Sequence, residues 1–197
     1  MHRPEPRTLT GTHCRLEPLE CAHGPHLELV AEPAFWDHMG GSPFTTGGFR
    51  EYIQRAEDDR RIGTRIAFAV IDRATGAAVG VTCFDDIAPE HSRLEIGGTW
   101  YARSHWGGVT NPEAKFLLLA HAFEDLAVTR VALKTGHENL RSQSAIERLG
   151  AIREGVLRRH MILPNDRPRD TVYYSILADE WPAVRTALLA RIADADS

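Results

Sequence analysis

Cysteine is scarce in this chain of 197 residues: Cys14, Cys21 and Cys83 are the only three. They are too few and too scattered for a disulfide framework, which points to a reducing compartment. No apolar run approaches the roughly 18 residues a membrane span requires, and 1–12 lacks the apolar core of a signal peptide. Neither sign of charge dominates. The 23 basic and 27 acidic residues leave a net charge of -4, so the total marks no nucleic-acid-binding surface. The expectation is a soluble, cytoplasmic protein with neither nucleic acid nor membrane as partner. Several catalytic signatures are missing as well. The Lys and Ser/Thr of a P-loop, the three spaced glycines of a dinucleotide fold and an HExxH zinc motif do not occur, and no nucleophile, base and orienter set can be read from the chain. His23, His26, Cys14 and Cys21 lie close together in sequence, but without standard ligand spacing, so no metal is expected.

What is present suffices for a sizeable core. With 43% apolar content, the chain is expected to form one domain over 1–197, with 1–12 as a loose arm rich in proline and charge. Alternating and β-branched runs predict strands at 13–18, 66–71, 78–84, 130–134, 151–163 and 171–177. Helices are expected at 26–31, 49–60 and 139–149, the last closed by Gly150, with a terminal helix capped by Asp179 and carrying Pro182 in its first turn. A polar connection is expected at 85–93. The segment 35–48, rich in Gly, Pro and aromatics, carries Phe35, Trp36 and Phe44, which could wall a substrate pocket or simply cover the edge of the core.

The rest is organised around 94–126, LEIGGTWYARSHWGGVTNPEAKFLLLAHAFEDL. It begins as a strand through Trp100 and Tyr101, passes through Trp106, Gly107, Gly108, Val109, Thr110 and Asn111, and opens into an apolar helix at Pro112, with Asn111 as the expected cap. A helix start carries unpaired amides and the positive end of the helix dipole, so a preceding loop of small residues suits a phosphate. The order strand, helix, strand, helix implies parallel pairing around that loop.

The segments EIGGTW, HWGGVTNPEAK, ENLRSQSAIERLGAIREGVLRR and YSILADEWP resemble the GNAT superfamily of N-acetyltransferases, in particular the branch similar to the ribosomal-protein acetyltransferases RimJ and RimL. The resemblance implies an α/β GNAT fold, whose mixed central sheet is splayed at the acetyl-CoA site and flanked by helices. It implies acetyl-CoA as cofactor, a primary amine as acceptor and a homodimer. The family loop runs Gln or Arg, two residues, Gly, one residue, Gly or Ala; anchored on Glu113 and Ala114, those positions hold Trp106, Val109 and Asn111. A valine cannot take positive φ cheaply, so the turn is expected to fall on Gly107 and Gly108.

By the same resemblance, the backbone of Trp100 and Tyr101 meets the pantetheine arm, Asn139 contacts it, and Ser142 stands near the thiol sulfur. Many members place a Tyr seven residues after the Asn; here that position is Ile146. Asn139 also reads as a helix cap and Ser142 as the residue whose amide it satisfies. Glu95 is the candidate base, with a solvated charge or an ion pair to Arg93 as the plainer role. Deprotonating a lysine amine at pH 7 costs roughly 4.6 kcal/mol, an α-amine roughly 1.4, so an α-amine acceptor needs little help. The expected reaction is direct attack of an amine, such as a protein N-terminus, on acetyl-CoA. The alternatives are a small-molecule amine acetyltransferase and a non-catalytic acyl-CoA-binding module.

Overall fold

A computed structural model describes residues 1–39, 42–44 and 47–196. Gly40, Gly41, Thr45 and Thr46, part of the aromatic segment expected to border a pocket, and Ser197 lie outside the described residues. The chain forms an eight-stranded sheet in the order β1-β2-β3-β4-β5-β6-β8-β7. The strands are β1 Leu9–Thr10, β2 Cys14–Pro18, β3 Ile66–Asp72, β4 Ala78–Ala88, β5 Arg93–Tyr101, β6 Arg130–Gly136, β7 Ile152–Ile162 and β8 Pro168–Leu177. The helices are α1 Gly24–Val30, α2 Gly48–Ile62, α3 Thr110–Ala120, α4 Leu140–Glu147 and α5 Trp181–Ala193.

At β3 the sheet is buried on both faces, which is why this strand reads as the unbroken apolar run IAFAVI. Phe68 and Val70 face one core with Leu118 and Leu119 of α3 and Leu188 of α5. Ala67, Ala69 and Ile71 face a second core with Leu27 of α1 and Phe49 and Ile53 of α2. All neighbouring strands run antiparallel except β5 and β6, the parallel pair expected from the element order.

That parallel pair is short. Arg93, Leu94 and Glu95 stand opposite Arg130, Val131 and Ala132, and the register ends there. Both strands continue apart. β6 stays paired with β8 from Arg130 to Gly136, while β5 follows β4. A bulge bends β5 at that point: Cys83 pairs with Gly97 and Val81 with Trp100, leaving Gly98 and Thr99 together opposite Thr82. Gly98 sits at φ +57, and a Cβ there would lie 2.7 Å from the Arg65 guanidinium, so glycine is favoured on both counts. The outcome is the splayed mixed sheet expected of an α/β GNAT fold.

Several boundaries differ from the expected ones. The arm 1–12 is partly docked: Leu9 and Thr10 pair with Leu16 and Arg15, Leu9 is buried, and the His2 amide donates to the Leu126 carbonyl at 2.8 Å. The connection expected at 85–93 is partly strand: β4 runs on to Ala88 and β5 starts at Arg93, with Asp85 paired across to Glu95. Helix α5 is preceded by Glu180, which makes no side-chain cap bond, so Asp179 is not its cap. Glu180 accepts instead from the Leu177 amide at 2.8 Å. After α3 the chain makes one π-turn, His121–Asp125, where a single continuous helix was expected.

One first-turn residue of α3 ties the two ends of the fold together. Glu113 is buried, and its carboxylate accepts the amides of Thr12, His13 and Cys14 at 2.6, 2.8 and 2.6 Å. The approach is close enough that a Cβ on Gly11 would sit 2.5 Å from the carboxyl carbon. Hydrogen bonds to a buried charged group are among the strong ones, and losing the acceptor strands three donors. Glu113→Ala is therefore expected to lower unfolding free energy by about 3 kcal/mol in denaturant titrations; an unchanged midpoint would show that the loop at 11–14 needs no anchor.

Candidate active site

Where β5 and β6 diverge, a cavity of about 780 Å³ opens between them. It is lined by Trp106, Gly107, Gly108 and Asn111 before and within the first turn of α3, and by Asn139, Arg141 and Ser142 at the start of α4. Its walls also include Glu95, Asp85 and the aromatic residues Phe35, Trp36, Tyr52 and Trp100, and Phe35 packs on Trp106 with ring centroids 5.5 Å apart. The bulge residues Gly97, Gly98 and Thr99 line it from β5.

The phosphate-loop candidate turns where glycine allows it. Gly107 has φ +76, while Val109 is in ordinary right-handed helical conformation at φ -75. A Cβ on either Gly107 or Gly108 would meet no atom within 4 Å, so these two face open space. The helix begins earlier than expected. Thr110 and Asn111 already belong to α3, and Val109 stands at the cap position without a side-chain bond. Asn111 is thus the second helical residue and not the cap. Pro112 is still tolerated, because the first intrahelical bond to form is from the Glu113 amide to the Val109 carbonyl at 3.0 Å. Val109 and Thr110 do not line the large cavity. They border a smaller depression with His13, Asp72 and Arg73 on another side of the loop.

Asn139 precedes α4, and its side-chain oxygen accepts the Ser142 amide at 3.1 Å. This is the capping role expected of it, and it places Ser142 on the cavity wall. Trp100 and Tyr101 are buried and paired with Val81 and Gly80 of β4. The Tyr101 carbonyl accepts the Trp106 indole N–H at 2.8 Å and the Gly97 carbonyl the Thr99 hydroxyl at 3.2 Å, while the register between β5 and β6 ends at Glu95. Of the three aromatic residues at 35–48, Phe35 and Trp36 line the cavity and Phe44 does not. Trp36 packs on Trp100 with ring centroids 5.2 Å apart, covering the core, and Phe35 and Trp36 together form a wall of the cavity.

Glu95 is only 4% exposed. Its ion pair is with Lys134 of β6, Nζ to Oε2 at 2.8 Å, and not with Arg93, which pairs with Asp86. The cross-strand neighbour Asp85 pairs with Arg65, Nε to Oδ1 at 2.9 Å. The two carboxylates flank Gly97, where a Cβ would lie 2.8 Å from Glu95 Oε1 and 3.1 Å from Asp85 Oδ2. Burial raises the pKa of both groups, while Lys134 opposes this at Glu95 and Arg65 at Asp85. A buried carboxylate whose proton affinity has been raised can accept a proton in the range where amines react.

Lys115 of α3 is buried and donates to Thr99 Oγ1 at 2.6 Å and Thr82 Oγ1 at 3.1 Å. Burial lowers its pKa to about 7. It fastens α3 to the two strands at the bulge that opens the cavity.

The Acetyltransferase (GNAT) domain family matches residues 13–152, most of the chain. The chain belongs to the GNAT family of acetyltransferases. A stretch of 106 residues is 32% identical to YdaF of Bacillus subtilis (strain 168), whose name assigns it provisionally to the ribosomal N-acetyltransferases; it covers 54% of this chain and 57% of YdaF. The chain thus spans less than two thirds of the length of the curated relatives it matches. A crystal structure of a T. thermophilus protein, provisionally named an acetyltransferase, is 38% identical with TM-score 0.88, covering 96% of this chain and 98% of that one. The RimJ resemblance is met at the level of fold: Mycobacterium smegmatis RimJ in complex with CoA-disulfide superposes with TM-score 0.81 at 22% identity, covering 96% and 97%.

Within this GNAT chain, sequence reasoning brought Trp106, Gly107, Gly108, Asn111, Asn139, Ser142 and Glu95 to one cavity, which the structure also shows. It passed over Lys134, Asp85, Arg65, Lys115 and Arg141. Only Lys115 left a local trace, as a charged residue beside Leu118 and Leu119 on the buried face of α3.

Proposed function

We propose that this protein is an N-acetyltransferase of the RimJ/RimL-like branch that transfers an acetyl group from acetyl-CoA to a primary amine, with a protein N-terminal α-amine as the acceptor. The observation that carries the reading is the divergence of β5 and β6 after Glu95 around a cavity linking the loop before α3 to a buried carboxylate. The fit of acetyl-CoA is supported by the open turn at Gly107 and Gly108, the amides at the start of α3 and the edge of β5 beyond Glu95, which is out of register with β6 and can take an extended chain as an added strand. The name of YdaF, provisionally a ribosomal N-acetyltransferase, supports a protein acceptor.

Bound acetyl-CoA supplies a thioester. The chain's residues then do three things. The amides of Gly107, Gly108 and Asn111, with Asn139, hold the donor along the cleft. Glu95 takes the proton that the acceptor ammonium must lose before its nitrogen attacks the acetyl carbon. As the carbon–nitrogen bond forms and the carbon–sulfur bond breaks, the attached nitrogen sheds its second proton and the leaving sulfur gains one. The Ser142 hydroxyl hydrogen-bonds the sulfur and relays the proton, so that the sulfur ends neutral. Lys134 keeps Glu95 ionised until the acceptor arrives.

The test is thiol release from acetyl-CoA with a panel of peptide N-termini and small amines. Because Glu95 is raised by burial, kcat/KM should fall as pH drops through a value above the usual glutamate range, and Glu95→Gln should lose on the order of 100-fold and flatten that limb. Ser142→Ala should lose about 10-fold in kcat; an unchanged rate removes Ser142 from the reaction. Binding of acetyl-CoA without thiol release on any amine would instead favour the non-catalytic module.

The reading extends to a homodimer. Strand β7 lies at the edge of the sheet with Ile152, Leu157 and Ile162 exposed by 56, 47 and 61%, a surface suited to self-association. Light scattering should give the mass of two chains, and the mass of one would reject this.

A further inference from the structure

The loop from Trp106 to Asn111 contains no cation, yet a guanidinium from another element lies directly over it. Arg141, the second residue of α4, places Cζ 3.5 Å from the centroid of the Trp106 ring. The indole is itself fixed, donating to the Tyr101 carbonyl at 2.8 Å. Arg103 also stands over this ring, at 4.9 Å, but its charge is engaged by Glu32 at 2.6 Å. Arg141 has no carboxylate partner among the described residues, and partial burial and the Arg103 charge both press against its cationic form. Two like charges at one ring, with a single carboxylate between them, leave an unbalanced positive site.

Its place in the fold gives that site a use. Trp106 belongs to the wall formed by β5 and α3, and Arg141 to the wall formed by β6 and α4, so their contact bridges the mouth of the cleft. The neighbouring Ser142 lines the same cavity. We propose that Arg141, seated on Trp106, is a ligand for the diphosphate of the acyl donor, closing over it from α4 and supplying the cation that the loop lacks. This rests on the acetyl-CoA reading above. A planar guanidinium can fork two phosphate oxygens while one face stays on the indole, which a lysine cannot reproduce. The consequence is donor selection: the protein requires the nucleotide diphosphate, and a pantetheine thioester without it is a poor substrate.

Calorimetry on the full chain with CoA, dephospho-CoA and pantetheine tests this. Arg141→Ala should weaken CoA and dephospho-CoA alike by on the order of 10- to 100-fold and leave pantetheine unchanged, with Arg141→Lys recovering only part of the loss. Arg141 is exposed, and circular dichroism checks that the variants fold. Equal CoA affinity in wild type and Arg141→Ala overturns the proposal, as does a loss seen with CoA but absent with dephospho-CoA, which would assign Arg141 to the ribose phosphate. If wild type binds neither CoA nor dephospho-CoA, the acetyl-CoA reading fails first and this proposal falls with it.

Discussion

The parallel hydrogen bonding between β5 and β6 ends after Glu95, and the shape of the site follows from that break. β6 cannot follow β5, because β8 holds it along its whole length. β5 cannot follow β6, because the extra residue at Gly98–Thr99 turns it along β4. The bulge is in turn fixed by side chains, with Thr82 and Thr99 joined at 2.8 Å and both bound by Lys115. A wedge-shaped opening in the middle of a sheet would ordinarily close by pairing, since unmet backbone groups are costly. Here three elements hold it open, which leaves a strand edge available to an extended ligand.

Charge is distributed around this opening in a consistent order. Beside Gly97, Asp85 and Glu95 are each held by a cation from a neighbouring strand or its approach. At the bulge, a lysine from α3 donates to two hydroxyls. Next to the loop before α3, Arg141 lies against an indole. The buried pairs also set proton affinity: burial raises the pKa of Glu95 while Lys134 restrains the shift.

Much of this was legible in the chain because it is local. The strand, turn and helix at 94–126, the cap by Asn139 and the parallel pair are written in adjacent residues. The turn at Gly107 followed from the cost of positive φ at Val109. The remainder depends on contacts across long separations. Glu113 reads as a favourable first-turn acid, but it binds amides a hundred residues away. Glu95 meets Lys134 only because two strands diverge at that rung. Asp85 reads as a loop residue because a buried charge and a solvated one look alike in sequence. Leu9 and Thr10 sit in a polar, proline-rich arm whose composition hides a short edge strand.

The central claim is that the cleft between the diverging strands receives the acyl donor, running from the turn at Gly107 to the bulge at Gly98. Amide hydrogen exchange on the protein with and without saturating CoA tests this directly. Exchange should slow at 97–101, at 107–113 and at 139–142, with little change along β7. Protection confined to other surfaces, with these three segments unchanged while CoA is bound, would contradict the account.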